Sequence, residues 1–108
     1  MCIRDSARAV QARVDAFLTE DRRERPGATV LLDPPRSGAG AEVVTAIAES
    51  RPAQVVYVAC DPVALARDVG NLQRQGFRVT GVTAFDLFPN THHVEAVATL
   101  VRDDDAPV

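Results

Sequence analysis

Residues 54–76, QVVYVACDPVALARDVGNLQRQG, decide the fold. Gln54 to Cys60 is an apolar run rich in Val with one Tyr, the composition of a buried strand. Asp61 stands where a side-chain oxygen caps a helix, and Pro62 stands at the first helical position, where proline is favoured. Leu65, Ala66, Val69 and Leu72 then recur at helical spacing, and Gly76 supplies the stop. A strand running straight into a helix is the repeating unit of a parallel sheet covered by helices.

The flanks extend that pattern. Ala28 to Leu32 is a second apolar run, closed by Asp33-Pro34-Pro35, and reads as a buried strand. Ser37-Gly38-Ala39-Gly40 is a turn, and Glu42 to Glu49 a helix with Val43, Val44, Ile47 and Ala48 on one face, ended by Arg51-Pro52. Downstream, Phe77 to Leu87 is strand-forming, with apolar positions at Val79, Val82 and Phe85. Val94 to Val101 is another strand, with Val94, Ala96, Ala98 and Leu100 on one face and Val97 and Val101 on the other. Only residues 88–93 separate these two runs. That is too short for a parallel crossover, so the last strand is expected to pair antiparallel as a hairpin. For Ala7 to Glu20 two readings stand: one amphipathic helix on Val10, Val14, Phe17 and Leu18, or a short strand near Arg8 to Gln11 followed by a helix from about Val14.

The order strand, helix, strand, helix, strand, strand is that of an α/β fold. It matches the second half of a doubly wound domain with an antiparallel addition. No stretch reads G-x-G-x-x-G, so a nucleotide-cradling first half is expected outside these residues. Residues 7–102 are expected to form the folded part, with 1–6 and 103–108 as unstructured ends.

Composition excludes several classes. At 108 residues with 46% hydrophobic and 25% charged residues, the chain is an ordinary globular domain or part of one. No apolar run approaches the ~20 residues of a membrane span, and no signal core opens the chain, so the cytoplasm is the default expectation. Two cysteines, Cys2 and Cys60, make no disulfide framework. The formal charge of −3 gives no basic field, although all twelve basic residues are Arg, which suits bidentate phosphate contacts.

Three polar groups close apolar runs, where ligands bind on a mostly parallel sheet. Cys60 ends a strand and precedes a helix, where backbone amides and the helix dipole favour a thiolate; the bland alternative is a small buried hydrophobe. In Asp33-Pro34-Pro35-Arg36 the prolines fix an extended backbone. Asp33 can accept from an amine or a base edge, and Arg36 offers a planar fork to an anion; the alternative is a capped turn. Glu95 opens the last strand after a proline-containing loop, and partial loss of water there suits a proton acceptor; otherwise it is a solvent-facing strand residue. His92 and His93 point to opposite faces of an extended chain, and no further Cys or His completes a set, so no metal is expected. Arg67-Asp68 and Arg22 to Arg25 read as solvated faces.

Taken together, three strings resemble the RNA uracil-5-methyltransferases. They are Leu32-Asp33-Pro34-Pro35-Arg36-Ser37-Gly38, Tyr57 through Asp68, and Asp86 through Glu95, in the family's order and spacing over Ala7 to Arg102. The resemblance implies the C-terminal half of a Rossmann-like methyltransferase domain, S-adenosyl-L-methionine as cofactor, a tRNA or 23S-type rRNA substrate, and a monomer. It favours the strand-then-helix reading of the first segment. It implies that Cys60 adds to carbon 6 of uracil, that Glu95 removes the proton from carbon 5, and that Asp33 contacts the cofactor region. Arg36, Thr91 and His93 are implied to support the substrate or the intermediate. The sequence departs from the family where Ala59-Cys60-Asp61-Pro62 replaces the usual Ser-Cys-Asn-Pro, and where Asn90 stands in place of the common His or Tyr.

Two other readings compete. The chain could be a non-catalytic portion that binds a partner. It could instead be an amino-methyltransferase of nucleic acids built on Asp33-Pro34-Pro35, but those sites carry an aromatic where Arg36 stands and need no cysteine.

Overall fold

The structure, a computed structural model, describes residues 7, 9–20, 23–86 and 95–103. The expected roles of Thr91 and His93 lie outside them. Seven elements follow in order: α1 (Val14–Glu20), β1 (Thr29–Leu32), α2 (Ala41–Glu49), β2 (Gln54–Ala59), α3 (Pro62–Arg74), β3 (Phe77–Phe85) and β4 (Glu95–Arg102).

One sheet in the order β1-β2-β4-β3 organises them. β1 and β2 are parallel, with Leu32 beside Tyr57. β4 runs antiparallel to both β2 and β3, so β1, β2 and β3 all point one way and β4 lies between two of them. The expected hairpin is present. Its last strand also reaches past its partner to complete the middle of the sheet. Thr80 interrupts the β3–β4 register between Val79 and Gly81, and its hydroxyl donates to the Thr99 carbonyl at 3.1 Å.

The pleat sorts β2 cleanly. Val55, Tyr57 and Ala59 are buried while the alternate residues are half-buried. The paired Leu100 and Ala98 of β4 continue the buried face, and Val43, Val44, Ile47 and Ala48 of α2 with Leu72 of α3 complete the core. The apolar face read from the sequence for α2 is therefore the one it buries. The helix ends at Ser50, whose hydroxyl donates to the Ile47 carbonyl at 2.7 Å, and Arg51 takes a left-handed φ of 55° before the buried Pro52.

Three expectations are corrected. The helix expected from about Val14 is α1, but Ala9 to Gln11 before it are not strand; an extended segment becomes a strand only where a neighbouring backbone pairs with it. β1 is an edge rather than a buried strand. Among the described residues it pairs with β2 alone, and Leu31 is 70% exposed. The buried stripe of α3 runs through Ala64, Asp68 and Leu72, with Leu65 and Val69 beside it and Ala66 exposed. Asp68 is thus no solvated residue; it is fully buried. No helix among the described residues is long and apolar enough to cross a membrane.

The core makes a direct contrast testable. Leu100 is fully buried and Leu31 largely exposed. Leu100→Ala is expected to lower unfolding stability by about 2–5 kcal/mol, and Leu31→Ala by no more than about 0.5 kcal/mol, as read by urea titration. Equal losses would contradict the placement of the core.

Candidate active site

The sheet brings three strand ends to one edge. β2 closes with Ala59, which pairs with Ala96 of β4. One step further along the same register stand Cys60 and Glu95. Cys60 is a free, half-buried thiol. Glu95, also half-buried, pairs on its other side with Phe85 of β3, whose ring is 44% exposed. Asp33 follows Leu32, the residue beside Tyr57, so it leaves β1 at the same end; it is exposed. Neighbouring strands lie about 4.8 Å apart, so the three ends span roughly 10 Å of sheet edge. Arg36 is exposed in the turn that follows, closed by the Gly38 amide donating to the Pro35 carbonyl at 2.8 Å.

Local chemistry fixes the start of α3 beside Cys60. Asp61 caps the helix: its Oδ1 accepts from the amides of Val63 at 2.8 Å and Ala64 at 3.3 Å. The carboxylate that departs from the family pattern is thereby engaged with the helix terminus. Val63, in the first turn of α3, is 78% exposed.

A buried polar cluster joins two of the quoted strings at positions to which the sequence reading assigned no role. The Tyr57 hydroxyl donates to Asp68 Oδ2 at 2.5 Å, and the Ala39 amide donates to the same oxygen at 2.8 Å. Asp68 Oδ1 accepts longer contacts from Arg67 Nε at 3.4 Å and Nη2 at 3.5 Å. Arg67 Nη2 also donates to the Ser37 carbonyl at 2.5 Å. Gly38 fits between these groups. At φ +85°, a Cβ there would lie 2.5 Å from Arg67 Nη2 and 2.6 Å from Asp68 Oδ2. Two features missed in the sequence agree with this once the fold is known: a tyrosine on the buried face of a strand needs a partner for its hydroxyl, and Asp68 lies four residues from both Ala64 and Leu72.

A cavity of about 730 Å³ opens between α1, β1 and α2, lined by Val14, Phe17, Leu31 and Val43, with Asp33 and Pro34 at its wall. Neither Cys60 nor Glu95 lines it, so the cavity and the strand-end array share only the Asp33 limb. Its lining is mainly apolar, with Arg13, Asp15, Arg25 and Asp33 as its charged groups. Asp33 fits a ligand that presents an amine or a hydroxyl. Among the described residues no group of three or more His, Cys, Asp or Glu is placed to hold a metal ion.

Comparison with known proteins adds to this geometry. The family described as tRNA (Uracil-5-)-methyltransferase matches residues 19–103. An uncharacterised RNA methyltransferase of Thermotoga maritima is 51% identical over 75 residues, 69% of this chain and 17% of that protein. A 23S rRNA (uracil(1939)-C(5))-methyltransferase of Alkalilimnicola ehrlichii is 47% identical over 94 residues, 82% of this chain and 21% of that one. In the solved structure of the Pyrococcus abyssi tRNA (uracil-54, C5)-methyltransferase with S-adenosyl-L-homocysteine, the match has a TM-score of 0.61 at 44% identity. It covers 68% of this chain and 18% of that one. The chain spans about a fifth of the length of the curated relatives it matches.

Burial, and after it the hydrogen bond to Asp68, pushes the Tyr57 phenol well above the ordinary tyrosine value. The folded state therefore holds this proton more tightly than the unfolded chain. The resulting stability is fully present below pH ~10, the ordinary tyrosine value, and is lost as pH rises beyond it towards the elevated folded value. The chain has one tyrosine and no tryptophan, so its phenolate absorbance reports Tyr57 alone. That band is expected to appear only above the ordinary value, together with alkaline unfolding. Ionisation at the ordinary value in the folded chain would contradict the buried pair.

Proposed function

The chain belongs to the tRNA (uracil-5-)-methyltransferase family, and from that membership we propose that residues 7–102 are the C-terminal part of a methyltransferase domain acting on carbon 5 of uracil in tRNA or rRNA. The observation that carries this reading is the β2–β4 register, which sets Cys60 and Glu95 at neighbouring strand ends. A nucleophile for carbon 6 and a base for the proton on carbon 5 serve adjacent ring atoms. They must therefore converge within about one strand spacing. The short coverage supports a larger domain: these residues match only about a fifth of the length of the curated relatives.

The chemistry follows from the weakness of uracil carbon 5 as a nucleophile. The Cys60 thiolate adds to carbon 6; the new carbon–sulfur bond pushes the ring electrons onto carbon 5 and the adjacent carbonyl. S-adenosyl-L-methionine, held in part through Asp33, supplies when bound an electrophilic methyl group. Once carbon 5 is methylated, Glu95 takes its remaining proton. The electron pair released from that C–H bond re-forms the ring double bond and expels the Cys60 thiolate, which is ready for another cycle. Arg36, on the turn beyond Asp33, supports the anionic stage, and Thr91 and His93 support the substrate. Asp61 stays bonded to the α3 amides while this occurs.

A trap distinguishes the two principal residues. With RNA containing 5-fluorouridine and the cofactor, the complete protein is expected to form a stable covalent adduct, since fluorine cannot leave as a proton does. Cys60→Ala should abolish the adduct, whereas Glu95→Gln on ordinary RNA should accumulate the methylated adduct because proton removal stalls. An undiminished adduct in Cys60→Ala would overturn the assignment.

The same short coverage, with no G-x-G-x-x-G turn in the sequence, also favours a second reading, in which these 108 residues alone are not catalytic. Calorimetric titration of the isolated chain with S-adenosyl-L-methionine is expected to give no binding in the micromolar range. Micromolar binding would show that the cofactor site is complete without further sequence.

A further inference from the structure

We propose that Asp68 is a positioning residue that fixes the Asp33–Arg36 limb relative to Cys60. Its buried carboxylate binds one group from each of two other segments that must agree. Tyr57 lies three residues before Cys60 on β2, and Ala39 lies beyond the limb that carries Asp33 and Arg36. Asp68 itself belongs to α3, whose capped first turn follows Cys60 directly. A helix advances about 1.5 Å per residue, so Asp68 sits roughly 9 Å along a rigid rod from Pro62. Strand, helix and loop are thus joined at one carboxylate oxygen, Asp68 Oδ2.

The neighbouring contacts act in the same direction. Arg67 holds the Ser37 carbonyl, and Gly38 permits the loop to approach α3 more closely than any side chain would allow. No buried side-chain nitrogen or oxygen among the described residues lacks a partner, so the cluster is closed on itself. It has no vacancy for a ligand, and Asp68 is too deeply buried to meet RNA. Its action on the reaction therefore runs through the loop it holds.

This inference rests on the methyltransferase reading, and its test separates the two. Asp68→Asn and Tyr57→Phe would be made in the complete protein and studied below their unfolding midpoints. Three readings are needed: kcat and KM for methyl transfer, the alkylation rate of Cys60, and amide hydrogen exchange over residues 33–40. In Asp68→Asn, exchange over the limb should rise and kcat should fall about 10- to 100-fold, the cost of a displacement of about 1 Å in a positioned group. Cys60 alkylation should be unchanged, because its own strand and helix cap remain. Tyr57→Phe keeps the Ala39 bond and should lie between. A lowered midpoint with wild-type kcat, KM and exchange would reduce Asp68 to a packing role and overturn the proposal. Should Asp68→Asn not fold, wild-type kinetics and exchange in Tyr57→Phe would overturn it instead. If the wild-type protein formed no Cys60 adduct, the methyltransferase reading would fall, and exchange alone would still decide whether Asp68 holds the limb.

Discussion

The ladder between β2 and β4 is the constraint on which the rest depends. It runs from Gln54 beside Val101 to Ala59 beside Ala96 without interruption. Side chains alternate across a strand, so a slip of one residue would carry Ala98 and Leu100 out of the core and place Ala96 rather than Glu95 at the level of Cys60. The burial of Val55 and Tyr57 against α2 and α3 therefore does more than hold the domain together. It selects the register, and the register selects which two polar groups meet. The irregularity between Val79 and Gly81 falls on the other side of β4 and leaves this alignment untouched.

Much of the fold was legible because its elements carry strong local signals. Pro62 after Asp61 and Gly76 after Arg74 bracket α3, and Val43, Val44, Ile47 and Ala48 mark the buried side of α2 at helical spacing. The short link before Glu95 forced an antiparallel pair. What local signals do not carry is lateral order. Nothing in residues 77–102 states that β4 inserts between β2 and β3, because that placement depends on the paired faces of strands far apart in the chain. The reading of β1 as a buried strand failed for a related reason: an apolar run reports affinity for burial, and burial needs a neighbour.

The strand-end positions of Cys60, Asp33 and Glu95 were readable from polar residues closing apolar runs. Asp68 was not, because an aspartate next to an arginine on a helix resembles a solvated pair. Here the two part company. Arg67 stays largely in solvent, while Asp68 turns inward to Tyr57 and Ala39. The decisive fact was the tyrosine: a hydroxyl on the buried side of a strand requires a partner, and only the fold says which residue supplies it.

The central position of β4 has a consequence for biosynthesis. It is the last of the four described strands, yet it supplies every ladder partner that β3 has among the described residues and pairs along one edge of β2. A ribosome releases the chain from its beginning, so β2 and β3 emerge and wait with open backbone edges until residues 95–102 follow. The contact of Gln54 with Val101 closes over nearly half the chain, the kind of distant pairing that forms late and slowly. The half-finished sheet thus exposes its unpaired strands during synthesis, and the eight residues of β4 seal them and complete the pairing at the Cys60 edge in one act.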